Sequence, residues 1–65
     1  MRFMKFDYVE GGFYYHVIKI KDIAHAERTT SEDGDVIIVT LRNGERFEFP
    51  PTDKNDSLAL SLLNL

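Results

Sequence analysis

The stretch VIIVTLRNGERFEF, residues 36–49, constrains the fold more than any other part of the chain. An apolar, β-branched run stops at Arg42-Asn43-Gly44-Glu45 and resumes as alternating Arg, Phe, Glu and Phe. Two strand-like runs joined by Asn-Gly are the strongest short-range signal for a β-hairpin. A two-residue type I′ loop needs φ > 0 at both positions, which Asn and Gly tolerate. That turn predicts Arg42 opposite Glu45, Leu41 opposite Arg46, Thr40 opposite Phe47, Val39 opposite Glu48 and Ile38 opposite Phe49. One face then carries Val36, Ile38, Thr40, Phe47 and Phe49, and this is the expected core face, with Phe47 among the most buried side chains. Ile37, Val39 and Leu41 fall on the other face, beside Arg46 and Glu48. Pro50-Pro51 ends the second strand, since proline has no N–H to give the ladder.

Three further turn signals divide the rest of the chain: Glu10-Gly11-Gly12, Lys21-Asp22 and Ser31-Glu32-Asp33-Gly34-Asp35. The segments between them have strand length and are rich in β-branched and aromatic residues. With Gly11-Gly12 as the loop, Phe6 faces Val17, Asp7 faces His16 and Tyr8 faces Tyr15. Phe6, Tyr8, Phe13, Tyr15 and Val17 then share one face; Phe3, Val9, Tyr14, Ile18 and Ile20 share the other. Beyond the prolines, TDKNDSLALSLLNL places the capping types Thr52, Asp53, Asp56 and Ser57 ahead of a Leu-rich run, which predicts a helix from about Asp53 to Asn64. Residues 58, 60 and 62 also alternate, so a last strand is the competing assignment. The expected fold is mainly β (α+β): an antiparallel β-meander of about five strands, with two clear hairpins and a short C-terminal helix, forming a single domain over residues 1–65.

A chain of 65 residues buries only about 60% of the surface its unfolded form exposes, so it needs a second source of stability. With no cysteine, disulfides and thiolate metal sites are excluded together. Two histidines cannot complete a zinc centre of the common Cys/His types. Oligomerisation is the source left open. The net charge of −3 disfavours a general nucleic-acid footprint, which needs Lys and Arg against phosphates, although one basic face remains compatible with it. No run of apolar residues has the length of a membrane span. The N-terminus, MRFMKFDYVEGG, lacks the small-residue cleavage site of a signal peptide. The expected location is therefore cytoplasmic, and the absence of cysteine fits a reducing compartment.

Few residues suggest chemistry. The expected hairpin register sets Asp7 beside His16, where a carboxylate can orient an imidazole as a base. No cysteine and no G-x-S-x-G nucleophile accompanies the pair, so a surface cross-strand contact is the favoured assignment and an enzyme is not expected. His16 and His25 lie on different segments without ligand spacing, and no metal or other cofactor is expected. SEDGD, residues 31–35, resembles a piece of a calcium loop, but the residues at the later ligand positions are wrong, and it reads as a turn. Phe3, Phe6, Tyr8, Phe13, Tyr14 and Tyr15 interleave with Arg2, Lys5, Lys19 and Lys21, a composition that can stack single-stranded bases. A chain this small also needs most of its aromatics for a core.

From Ile20 onward the chain runs through a Lys-Asp-Ile step, Ala-His-Ala-Glu, an acidic turn, a Val/Ile strand, the Asn-Gly hairpin and the Leu-rich tail. This order resembles the C-terminal half of LytTR-type DNA-binding domains. It also resembles FlbD-like small bacterial regulators and small uncharacterised bacterial or phage proteins. The resemblance covers about two-thirds of the chain and implies a transcription-associated or nucleic-acid-binding regulator. It departs from the LytTR pattern in the long turn, where Glu32, Asp33 and Asp35 stand in place of basic residues, and it assigns no site residue. The residues themselves favour a non-catalytic protein-interaction module: an adaptor, regulator or inhibitor. On a helix, Leu65, Leu58, Leu62, Ala59, Leu63 and Leu60 sweep about 220°, wider than the stripe one sheet can cover. Leu60, Leu63 and Leu65 are the expected interface, and a homodimer is the expected assembly, with a different protein partner as the alternative.

Overall fold

The structure is a computed structural model and describes residues 2–62. Five strands follow one another: β1 (Phe3–Asp7), β2 (Tyr15–Lys19), β3 (Ile23–Ser31), β4 (Gly34–Leu41) and β5 (Arg46–Phe49). A 3-10 turn, Ile20–Asp22, separates β2 from β3, and a helix, α1 (Asp53–Leu62), closes the chain. The fold is mainly β with a short C-terminal helix, and every paired strand is antiparallel. The meander divides into two sheets, β1–β2 and β3–β4–β5.

The two hairpins form where the turn chemistry places them, but each in a register one residue away from the expected one. At Asn43-Gly44 the observed partners are Thr40 with Arg46, Val39 with Phe47, Ile38 with Glu48 and Ile37 with Phe49. Gly44 has φ +94°, while no non-glycine residue among the described residues has positive φ, so the loop is not type I′. Instead Gly44 N–H donates to the Leu41 carbonyl (3.0 Å) and Leu41 N–H to the Glu45 carbonyl (2.8 Å). This is the three-residue alternative, a type I turn followed by a glycine in a bulge. Asn43 stabilises it by accepting a hydrogen bond from Glu45 N–H on its side-chain oxygen, 2.9 Å. At the first hairpin, Tyr8 N–H donates to the Tyr14 carbonyl (2.7 Å), so the loop holds residues 9–13 rather than the two glycines alone. Phe6 consequently pairs with His16 and Asp7 with Tyr15.

An odd-membered loop in place of an even one exchanges the faces of the strand, because side chains alternate with period two. Ile37 and Val39, expected outside, are fully buried; Val36 and Thr40, expected in the core, are only partly buried. Phe49 is 1% exposed and takes the central place expected of Phe47, which is half-buried at the margin. Ile38 is also buried, on the face away from this cluster, where it sits between Glu27 and Glu48 on the central strand. The core joins Met4, Phe6 and Ile18 from one sheet to Ile23, Ala26, Ile37, Val39 and Phe49 from the other, with Ala59 from α1. Phe6 stacks on Phe49 at 4.9 Å between ring centroids and 13° between planes, which fastens the two sheets together.

Helix α1 starts where the capping residues predict. Asn55 N–H donates to the Thr52 hydroxyl oxygen at 3.2 Å, the N-cap geometry. The expected helix extended to Asn64, which lies outside the described residues. Leu58 and Leu62 pack against the core, and Leu60 is 56% exposed.

Candidate partner-binding face

The alternation of β1 and β2 turns Met4, Phe6, His16 and Ile18 toward the other sheet. Phe3, Lys5, Tyr15, Val17 and Lys19 therefore lie on the outer face, and all five are exposed. The loop joining the strands adds Phe13, 86% exposed, and Tyr14, 69% exposed. Seven of the eight exposed large hydrophobic side chains among the described residues lie in the segment 3–17; the eighth is Leu60. In a chain whose core is short of apolar area, seven large side chains left in water on one hairpin mark a contact surface.

This face is also basic. Residues 1–21 hold four cations, Arg2, Lys5, Lys19 and Lys21, against two carboxylates, Asp7 and Glu10. The rest of the chain holds four cations against nine carboxylates. Asp7 is withdrawn from the face: it is buried, its carboxylate accepts from Lys54 Nζ at 3.3 Å, and its backbone is bound by Asn55. Lys5 Nζ stands 4.3 Å from the centre of the Tyr15 ring, a cation–π contact that holds this ammonium on the face. Among the described residues, Arg2, Lys5, Lys19 and Lys21 have no carboxylate partner. A groove of about 330 Å³ borders the face between β2 and β5, lined by Phe3, Val17 and Lys19 on one side and Leu41, Glu45 and Phe47 on the other. A larger cavity of about 520 Å³ lies around Ile23, Ala26, Arg42 and Leu62, apart from the exposed aromatics.

The structure does not bring Asp7 and His16 together. Asp7 pairs with Tyr15, and His16 pairs with Phe6. The His16 ring lies 4.5 Å from Phe47 and edge-on to Tyr8 at 6.3 Å, within the aromatic layer between the sheets. The expected cross-strand pair is lost with the register that created it. His25 lies on β3, 3.7 Å from Glu27 of the same strand. In the acidic turn, Asp35 is held by Arg28 (2.8 Å) and Thr30 (2.8 Å), and Ser31 donates to the Gly34 carbonyl, so its polar groups close the β3–β4 connection. Arg28 also reaches Asp56 of α1 at 3.0 Å, which ties the helix to the sheet.

Of the expected interface residues, Leu60 is exposed on α1, while Leu63 and Leu65 lie outside the described residues. The exposed hairpin face escaped sequence reasoning because its membership depends on loop parity. The interleaving of aromatics with Lys was the available signal, but one residue of register decides which of them face water. No family model matches the chain, and no curated protein or solved structure matches it.

Proposed function

We propose that the chain is a non-catalytic protein-interaction module and that its contact surface is the outer face of the β1–β2 hairpin with the Phe13-Tyr14 loop. The observation that carries this reading is the gathering of five exposed large hydrophobics, Phe3, Phe13, Tyr14, Tyr15 and Val17, on that surface. Tyrosine and phenylalanine are the side chains that protein interfaces enrich, since they bring large area with few torsions to freeze. The separation of Asp7 from His16 supports a non-catalytic role.

A photo-crosslinking amino acid placed at Phe13 or Tyr14 tests this reading in the source cells. The expected result is discrete protein adducts from these positions and none from Thr29 or Ser31, on the third strand. Adducts from Ser31 but not from Tyr14 would reject the surface. A homodimer through α1 is the second reading, favoured by the 56% exposure of Leu60. Light scattering of the isolated chain separates the two. Twice the monomer mass of 7.5 kDa that collapses to the monomer in Leu60→Lys supports the helix dimer; a mass unaffected by that substitution removes it.

A further inference from the structure

We infer that the segment bound by this face is an extended acidic peptide of the partner protein, with carboxylates at alternate positions beside an apolar residue. The inference rests on the interaction surface proposed above and specifies its occupant. Its first support is charge. The face carries Lys5 and Lys19, with Arg2 at its border, and these cations have no carboxylate partners among the described residues. Of the two carboxylates in residues 1–21, Asp7 is buried against Lys54, which leaves Glu10 of the connecting loop as the exposed one. An acidic chain has thus gathered cations without carboxylate partners among the described residues onto a strongly apolar face, which an acidic partner complements.

Spacing gives the second support. Lys19 is paired with Phe3, and Lys5 with Val17, so Lys5 and Lys19 are diagonal neighbours in an antiparallel ladder. Diagonal neighbours lie about 7–8 Å apart. Residues two apart in an extended peptide rise about 6.6 Å and project to the same side, so carboxylates at i and i+2 match the spacing of the Lys5 and Lys19 positions, and the Lys5 ammonium is met where it lies over Tyr15. Phe3, Val17 and Tyr15 flank these cations and receive an apolar residue next to the acidic pair.

Two alternative occupants fit less well. Two copies meeting face to face across a two-fold axis would set Lys5 and Lys19 against Lys5 and Lys19, which like charge opposes. A single-stranded nucleic acid needs open ring faces for its bases, but Lys5 already covers Tyr15 at the centre of the strand face.

The test is selection from a random dodecapeptide library displayed on phage, followed by fluorescence polarisation with the enriched peptides. Enriched sequences are expected to carry alternating Asp or Glu. Their affinity is expected to fall about tenfold or more in the double variant Lys5→Glu, Lys19→Glu, and to weaken between about 50 and 200 mM salt. Both substitutions are at exposed positions, and circular dichroism checks that the variant keeps its fold. Neutral or basic peptides that lose binding in Phe13→Ser, Tyr14→Ser but not in the lysine variant would overturn the acidic occupant while leaving the contact surface standing. Absence of any enriched peptide would overturn both. A short oligothymidylate that binds more tightly than every enriched peptide would overturn the inference in favour of nucleic acid.

Discussion

Among the described residues Asn55 is the one fully buried polar residue, with Asp7 nearly so, and it holds the helix to the first strand. Its side-chain oxygen accepts from Asp7 N–H at 2.9 Å; its amide nitrogen donates to the carbonyls of Asp7 (2.7 Å) and Pro50 (2.9 Å). Removing the amide leaves the Asp7 N–H and the Asp7 carbonyl without partners in a buried site, where each unmet group costs about 1–3 kcal/mol, while the Pro50 carbonyl keeps the Thr52 N–H at 2.9 Å. Asn55→Ala is therefore expected to lose about 2–4 kcal/mol, read as a lowered urea midpoint at unchanged slope. Asn55→Asp keeps the acceptor but cannot donate to either carbonyl, and it should be no more stable than the alanine variant. At the surface, Asp35 is held below its ordinary value of 3.8 by the Thr30 hydroxyl first and by Arg28 second. Arg28 is pushed up from its own by Asp35 and then by Asp56. A carboxyl group whose folded value is depressed stabilises the fold above its unfolded value, and that contribution is lost as pH falls through the folded one. The melting temperature of the wild type is expected to fall more steeply than that of Asp35→Asn as pH drops from about 5 to about 2. Parallel curves would show that the Arg28–Asp35–Thr30 contacts contribute nothing to stability.

The second hairpin is governed by the conformation of one glycine. At Gly44, φ is +94°, while nothing lies near the position a Cβ would take, so the cost of substitution there is backbone strain and not a clash. Gly44→Ala is expected to destabilise by about 1 kcal/mol, and Gly44→Val by more, because branching at Cβ resists positive φ. Asn43→Asp keeps the side-chain acceptor for Glu45 N–H and should stay within about 0.5 kcal/mol of wild type. A type I′ loop would reverse part of this pattern by making Asn43→Gly stabilising. The hairpin's two phenylalanines are not equivalent. Phe49 touches Phe6 (4.9 Å) and Tyr8 (5.0 Å) and is 1% exposed. Phe49→Ala should cost about 3–5 kcal/mol, while Phe47→Ala, at the margin beside His16, should cost clearly less. Chemical denaturation of the two variants side by side checks the order.

The whole molecule is small enough that a loss of this size unfolds it, since a core of this size supplies only about 3–5 kcal/mol of net stability. Against that margin, Phe3, Phe13, Tyr14, Tyr15 and Val17, left exposed on the first hairpin, are a substantial share of the apolar material not used for folding. Their removal should separate binding from stability. Phe13→Ser with Tyr14→Ser is expected to change the unfolding free energy by no more than about 0.5 kcal/mol, because both side chains are exposed, while association through the face is lost. A large loss of stability in this variant would mean that the loop aromatics serve the fold. No helix among the described residues is long and apolar enough to cross a membrane.

Local chemistry in the chain accounts for the elements. Gly11-Gly12, Glu32-Asp33 and Asn43-Gly44 lie in turns, Pro50-Pro51 ends the last strand, and Thr52 caps a helix that begins at Asp53. Each of these follows from the φ a residue tolerates or the hydrogen bond its side chain can make within a few positions, so the order of five strands and a C-terminal helix is legible in the sequence. Register is not local in this sense. A loop of two or three residues at Asn43-Gly44 uses the same glycine, and the choice falls to whichever face of β4 buries better against β1, β5 and α1. Packing Ile37 and Val39 with Phe6 and Phe49 selects the odd loop. The same decision at the first hairpin moves Asp7 away from His16 and leaves Phe3, Tyr15 and Val17 in water. Only the packed fold makes that choice, because the two registers differ in what the strands bury against one another and scarcely at all in what the turns themselves require.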